Sequence, residues 1–286
     1  MSNVLIIGAG YVGNNLYEWM NKEIHNHKLW LVARKALDYA DQSDLRKFIL
    51  NNDIHYIVNC SGFTGRPNVD EGELKKKECW DLNVVIPLNI SNTCKQLGIK
   101  YIHISSGCIY SGYDKVWTEL DEPNFGLFDQ SSTYSKSKHA FETLSDYGCI
   151  VRVRMPFCNN YNPRSFLTKI HKYDQLINFK NSKTYIPDLC RFIEYLINNK
   201  VDLSAVNTIN FVNPQALDTM QVTDLMSANG LDNPKWAYVD PKLLNMLAPR
   251  SNCVLSISKL KSLFPDFDIQ TEKQALDKAL SNIKID

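Results

Sequence analysis

The sequence predicts an α/β fold, a doubly wound parallel sheet with a smaller C-terminal substrate-binding region, on three observations. Short, almost wholly apolar runs alternate with amphipathic helical runs through the first half of the chain. Strands are apolar throughout when both their faces are covered, the condition of a parallel sheet flanked by helices. A glycine-rich turn joins the first such run to the first helical one. Beyond Pro156 the alternation loosens, and Asn, Pro and Lys become frequent.

Taken in order, residues 4–7 read as a buried strand and 11–20 as a helix. Residues 29–33 read as a second strand and 43–50 as a helix with Ser43 as its N-cap. A third strand covers 56–60, and a helix then runs to about residue 97, where Gly98 suits the left-handed C′ position. A fourth strand covers 101–105, a helix 133–147 and a fifth strand 149–153, with one more strand at 206–212. The expected division is a dinucleotide-binding domain over residues 1–156 and a mainly substrate-binding region over 157–286, partly interleaved with the sheet.

Composition narrows the function. The chain has 286 residues, 44% hydrophobic and 22% charged, enough to bury a sizeable core. A net charge of +1 supplies no field toward nucleic acid or an anionic membrane, so neither is an expected partner. No apolar run is long enough for a bilayer span, and the N-terminus enters a strand pattern without a signal-like segment. A soluble, cytoplasmic protein is therefore expected. The eight cysteines are scattered without a C-x-x-C and are expected as reduced thiols. His25 and His27 lack a third ligand at workable spacing, so no metal site is expected.

Gly8-Ala9-Gly10-Tyr11-Val12-Gly13 matches G-x-G-x-x-G between a strand and a helix, the context its mechanism needs and the mark of a Rossmann-type sheet. Gly8 permits the tight turn, Gly10 lets a pyrophosphate approach the backbone, and Gly13 lets the helix pack close. The free N–H groups and positive dipole end of the helix then face the phosphates. Further cofactor contacts are expected from Ser61, Gly62 and Pro156, with Asp44 on the adenine side. Arg34 and Lys35 stand where NAD-binding folds place an acidic residue, which favours NADP(H), with NAD as the alternative.

Tyr134-Ser135-Lys136-Ser137-Lys138 supplies Y-x-x-x-K, and i, i+4 spacing puts phenol and ammonium on one helix face. A neighbouring cation is expected to lower the phenol's pKa and make it a usable acid/base. Ser105 and Ser106 end the fourth strand, where an open sheet faces its ligand crevice. Glycine loop, strand-end serine and Y-x-x-x-K together resemble the extended short-chain dehydrogenases.

Several stretches resemble a narrower family, the bifunctional nucleotide-rhamnose synthases with 3,5-epimerase and 4-reductase activities. They include Gly65-Arg66-Pro67-Asn68-Val69-Asp70, Ser106-Gly107-Cys108-Ile109-Tyr110, Arg152-Val153-Arg154-Met155-Pro156, the run from Asn162 to Ile170, and Ala248-Pro249-Arg250-Ser251-Asn252. The resemblance implies NADPH-dependent conversion of UDP-4-keto-6-deoxyglucose to UDP-L-rhamnose. It implies Cys108 as the base that removes the C3 and C5 protons and Lys169 as the donor that returns them, with His171 as an alternative donor. Tyr134 and Ser106 would steady the enolate oxygen, and Tyr134 would later protonate the C4 alkoxide. A thiolate beside cations is expected to form near neutral pH. Substrate contacts are expected from Arg66, Asn68, Asn83, Arg164 and Arg250, whose guanidinium forks suit a diphosphate and sugar hydroxyls. Related folds often pair through helices flanking the sheet, so a homodimer is expected by analogy. Two other readings compete: a reductase without epimerase activity, which has no use for a thiol at 108, and a non-catalytic dinucleotide sensor, which has no need of Ser106, Tyr134 and Lys138.

Overall fold

The computed structural model describes residues 1–22, 27–127 and 130–283, so His25 lies outside the described residues. The strands among them are β1 (Ser2–Ile7), β2 (His27–Val32), β3 (Tyr56–Asn59), β4 (Lys100–Ser106), β5 (Cys149–Val153), β6 (Gln175–Leu176), β7 (Thr208–Asn210) and β8 (Ala237–Tyr238). Six of them form one parallel sheet in the order β2-β1-β3-β4-β5-β7, and β6 pairs with β8 apart from it. The chain leaves β1 toward β2 on one side and returns to β3 on the other. Connections diverge there, so a crevice opens beyond the C-terminal ends of β1 and β3.

The helices follow from the same pattern: α1 (Tyr11–Lys22), α2 (Gln42–Asn51), α3 (Asp70–Leu74), α4 (Lys76–Trp80), α5 (Ile86–Leu97), α6 (Thr133–Leu144), α7 (Phe166–Lys172) and α8 (Ile186–Asn198). After them come α9 (Leu203–Val206), α10 (Thr219–Ala228), α11 (Ser258–Leu263) and α12 (Glu272–Leu280). Successive strand residues point to opposite faces. Val4 and Ile6 therefore pack with Leu16 and Met20 of α1 and Leu189 and Ile193 of α8. Leu5 and Ile7 pack instead with Leu45 of α2, Ile90 of α5 and Phe141 of α6. Every residue from Val4 to Ile7 is buried because both sheet faces are covered. A third apolar cluster gathers Leu167, Ile170, Val222, Met226, Leu276 and Leu280 beside the sheet. The late segments also return to the sheet. β7 extends it past β5, and Trp19 of α1 donates to Glu194 of α8 at 3.0 Å.

Several expected boundaries are corrected. Ser43 does not cap α2. Asp41 does, its carboxylate accepting from the Ser43 and Asp44 N–H groups at 2.8 and 3.0 Å, and an anion suits a helix N-terminus better than a hydroxyl. Helix α6 stops at Leu144 rather than residue 147, because Ser145 is extended and the Tyr147 carbonyl accepts from Ser91 Oγ at 3.1 Å. The last strand shrinks from 206–212 to Thr208–Asn210, since beyond it Asn213 N–H turns to the Lys183 carbonyl at 2.9 Å. β2 runs from His27 to Val32 rather than over 29–33. All eight cysteines are free thiols. Among the described residues, no helix is long and apolar enough to cross a membrane.

One buried ion pair ties the C-terminal helix to the segment entering α8. Lys183 Nζ lies 2.7 Å from Glu272 Oε1, with both side chains at most 1% exposed. The ammonium also donates to the Asn181 and Leu217 carbonyls at 2.9 and 2.8 Å. Glu272→Gln strands that cation, and the expected loss is about 3–5 kcal/mol in a urea melt. The double variant Lys183→Met with Glu272→Leu is expected to recover most of it. A single variant as stable as the parent contradicts this reading.

Candidate active site

The phosphate loop lies at the switch point. Gly8 has φ +101°, and a Cβ there would meet the Ser61 backbone N at 2.6 Å. A Cβ on Gly13 would lie 2.1 Å from the Gly8 carbonyl oxygen, whereas one on Gly10 meets nothing within 4 Å. Two glycines are thus required by packing, and Gly10 leaves open space before the N-terminus of α1. That arrangement fits a pyrophosphate held by backbone N–H groups. Gly13→Ala is expected to cost about 1–3 kcal/mol of stability and to weaken dinucleotide binding. Calorimetric titration and denaturant melts check this, and an unchanged variant contradicts it.

Beyond the loop is a cavity of about 410 Å³ whose lining includes Gly10, Tyr11, Val12, Ser61, Gly62 and Pro156. Ser106, Cys108, Tyr134, Lys138 and Lys169 line the same space. A second cavity of about 1080 Å³ continues from it and shares Asn68, Arg164, Lys169, Arg250 and Ser251. The two cavities together run from the glycine loop past the Tyr–Lys pair to Arg164 and Arg250.

Tyr134 and Lys138 are presented by α6. Ser132 caps that helix by accepting from Ser135 N–H at 3.1 Å, and Glu73 accepts from the Thr133 N–H and hydroxyl, both at 2.7 Å. The Lys138 ammonium sits against the β3 end, 3.5 Å from where a Cβ on Gly62 would be. Expected electrostatics need correcting here. Burial pushes the Tyr134 phenol up, as does the Cys108 thiol beside it, and the Ser106 hydroxyl and Arg154 only partly oppose them. Burial lowers the Lys138 pKa, with Cys108, Glu142 and Cys79 opposing. A phenol held protonated is nonetheless the form that can donate a proton.

Cys108 lies in the short turn Gly107–Ile109 that ends β4, where its N–H donates to Ser106 Oγ at 3.3 Å. Burial pushes its thiol up rather than down. The Ser106 and Ser135 hydroxyls and the charges of Arg154 and Lys138 oppose that rise without overcoming it. The expected ready thiolate is thus corrected: the resting group is the neutral thiol, because burial outweighs the cations. Lys169 moves the other way. Burial, then the neighbouring cations Arg164 and Arg250, lower its pKa, which makes its ammonium a stronger acid. His171 does not line either cavity, and its Nδ1 lies 3.3 Å from the Leu231 carbonyl.

The predicted substrate residues divide. Arg250 forks onto Asp70 at 2.8 and 3.0 Å, and Arg164 donates to Thr64 Oγ1 at 3.0 Å, so both brace the loop over the cavities while lining them. Asn68 lines both cavities. Arg66 is exposed and lines neither, and its backbone N–H is held by Glu71 Oε2 at 2.6 Å. Asn83 is corrected outright. It is 0% exposed, and its amide bonds Phe63 N–H and carbonyl at 2.8 and 2.9 Å and Ser137 Oγ at 3.0 Å. Both N–H groups are used and the side chain lines neither cavity, so Asn83 fixes the Gly62–Phe63 loop.

Among the cofactor residues, Arg34, Lys35 and Asp44 are exposed and line neither cavity. Arg34 lies 3.9 Å from Asp38, and Asp44 lies 3.7 Å from Lys47. His27 Nε2 lies 2.8 Å from Asn198 Oδ1, and no metal-binding group of three or more residues occurs among the described residues. Ser135, Arg154 and Ser251, which no motif singles out as site residues, also line the smaller cavity.

A glycine loop at a switch point, with a helix-borne Tyr–Lys pair opposite a strand-end serine, defines a dinucleotide-dependent enzyme of the short-chain dehydrogenase class. The chain belongs to the NAD dependent epimerase/dehydratase family, whose model matches residues 4–177. It is 33% identical over 240 residues to a trifunctional UDP-glucose 4,6-dehydratase/UDP-4-keto-6-deoxy-D-glucose 3,5-epimerase/UDP-4-keto-L-rhamnose-reductase of Arabidopsis thaliana, matching 79% of this chain and 34% of that protein. It thus spans about a third of that relative's length. It is also 33% identical over 228 residues to the bifunctional dTDP-4-dehydrorhamnose 3,5-epimerase/dTDP-4-dehydrorhamnose reductase of the same plant, covering 74% of this chain and 72% of that protein. Among solved structures, a UDP-rhamnose synthase from Acanthamoeba polyphaga mimivirus superposes with a TM-score of 0.85 at 25% identity, over 98% of this chain and 99% of that one.

Proposed function

We propose that the chain converts UDP-4-keto-6-deoxyglucose to UDP-L-rhamnose by epimerising C3 and C5 and then reducing C4 with NADPH. One observation carries this reading: a thiol, Cys108, and an amine, Lys169, line the same 410 Å³ cavity as Ser106, Tyr134 and Lys138. A reductase needs the phenol and the lysine but neither the thiol nor the second amine.

In this reading the C4 ketone acidifies its neighbouring C–H bonds. Cys108, as thiolate, takes the proton, and the electron pair passes into the C4 enolate, steadied by hydrogen bonds from Tyr134 and Ser106. Lys169 returns a proton from its ammonium to the opposite face, which inverts the carbon. The bound dinucleotide would supply hydride to C4. Tyr134 donates its proton to O4, and Lys138 holds the ribose side of the site beside Gly62. Arg164 and Arg250 hold the diphosphate side.

The test is to incubate the protein with UDP-4-keto-6-deoxyglucose and NADPH and identify the sugar by NMR. The expected product has L-rhamno configuration. A C4-reduced sugar with unchanged C3 and C5 leaves only the reductase, a reading favoured by the burial that keeps Cys108 neutral at rest.

A further inference from the structure

Arg154, the first residue after β5, has no part in the steps above, yet it is only 4% exposed and lines the cavity beside Cys108 and Tyr134. One terminal nitrogen donates to the Gly107 carbonyl at 3.0 Å and the Ser251 hydroxyl at 2.9 Å. The other donates to Asn181 Oδ1 at 2.7 Å and the Ser251 carbonyl at 3.1 Å. Its aliphatic stem packs on the same turn, 3.2 Å from where a Cβ on Gly107 would be. The guanidinium therefore grips the residue before Cys108 from two directions, in the rigid planar fashion a lysine cannot reproduce.

Its charge is the second feature. Arg152, two residues earlier, is neutralised by Glu142 at 2.6 Å, whereas the hydrogen-bond partners of Arg154 are carbonyls, an amide and a hydroxyl. Its Nε is buried without a hydrogen-bond partner among the described residues. A buried cation without a counter-charge is costly, and it favours an anion forming beside it. Among the described residues, the ionisable groups that act on the Cys108 thiol include Tyr134 and Lys138 from α6, Cys253 from the C-terminal segment, and Arg154 itself. Lys169 of α7 shares the cavity.

We propose that Arg154 is the positioning residue of the proton-abstracting half of the site. It clamps the Gly107–Cys108 turn and presents a positive charge, paired with no carboxylate among the described residues, against which the Cys108 thiolate forms. This rests on the epimerase reading of the site. Arg154 touches no reacting atom and acts through Cys108.

The test is the pH profile of Cys108 alkylation by iodoacetamide, read by peptide mass, in which the thiolate displaces iodide. The Cys108→Ala protein serves as the blank. Arg154→Gln, which keeps a planar two-donor amide but removes the charge, is expected to move the profile about one unit higher, about tenfold slower at neutral pH. Arg154→Lys keeps the charge but not the fork. It is expected to leave the profile within about threefold and to slow deuterium exchange at C3 and C5 by about tenfold.

An Arg154→Gln profile that overlays the parent overturns the proposal. Where that variant does not fold, the lysine variant decides, and undiminished exchange in it overturns the clamp. Alkylation needs no sugar. A protein that makes no rhamnose yet shows the shifted profile keeps Arg154 as the charge that ionises Cys108 and loses the epimerase reading, and rhamnose formation with an unshifted profile keeps that reading and overturns the role of Arg154.

Discussion

Tyr134→Phe is expected to lower NADPH oxidation on the keto sugar by about 10²–10⁴-fold, or about 3–5 kcal/mol in the barrier. The substitution removes one oxygen from a side chain packed on α6 and leaves the ring in place. The loss should fall on kcat, because the proton is needed when negative charge develops on O4 and contributes little to holding the ground state. Dinucleotide affinity, which the proposal assigns to the glycine loop and Lys138, should stay within about threefold. The pH profile adds a sign. Burial raises the phenol's pKa, so across about pH 6–9 it remains the proton-bearing acid and reduction should show no alkaline loss on its account. Stopped-flow loss of NADPH absorbance checks the rate, and a variant within tenfold of the parent removes Tyr134 from the chemistry.

Cys108→Ala is expected to lower solvent exchange at C3 and C5 by about 10²–10⁴-fold, since a methyl group cannot accept a proton. Reduction of a sugar already carrying the inverted configuration should be much less affected, because phenol, lysine and dinucleotide remain in place. Two opposite pKa shifts give exchange its pH dependence. Burial raises the Cys108 thiol, so the thiolate grows more abundant and exchange rises as pH increases on the acid side. Burial and the Arg164 and Arg250 charges lower the Lys169 ammonium, so exchange falls again once that proton is lost on the alkaline side. A bell for exchange beside a flat profile for reduction is the expected pair. Exchange that survives in Cys108→Ala assigns the base to another group.

The sheet and its crevice were legible in the sequence because local signals and tertiary packing agree there. Val4 to Ile7 is apolar throughout since helices cover both faces, and the three loop glycines stand where backbone geometry or ligand approach needs them. The i, i+4 pair and the strand-end serine came out for the same reason, each fixed by the period of its own element. Where a role depended on what surrounds a residue, the sequence was a poorer guide. The sequence suggests Asn83 as a sugar contact, but a carboxamide looks the same whether it faces a ligand or the Phe63 backbone. Arg154 reads as one basic residue of two in R-V-R-M-P, and only the fold separates the paired Arg152 from Arg154, which pairs with no carboxylate among the described residues. Charge effects were misjudged for a related reason. The spacing of Lys138 suggested a depressed phenol, yet burial is a property of the assembled site and dominates both Tyr134 and Cys108.

The central claim is that one cavity both inverts and reduces the sugar. Its most direct test is to run the reaction in D2O with UDP-4-keto-6-deoxyglucose and protiated NADPH and to locate deuterium in the product by NMR. The account predicts an L-rhamno sugar with deuterium at C3 and C5 and hydrogen at C4. A reduced product with hydrogen retained at C3 and C5 contradicts it.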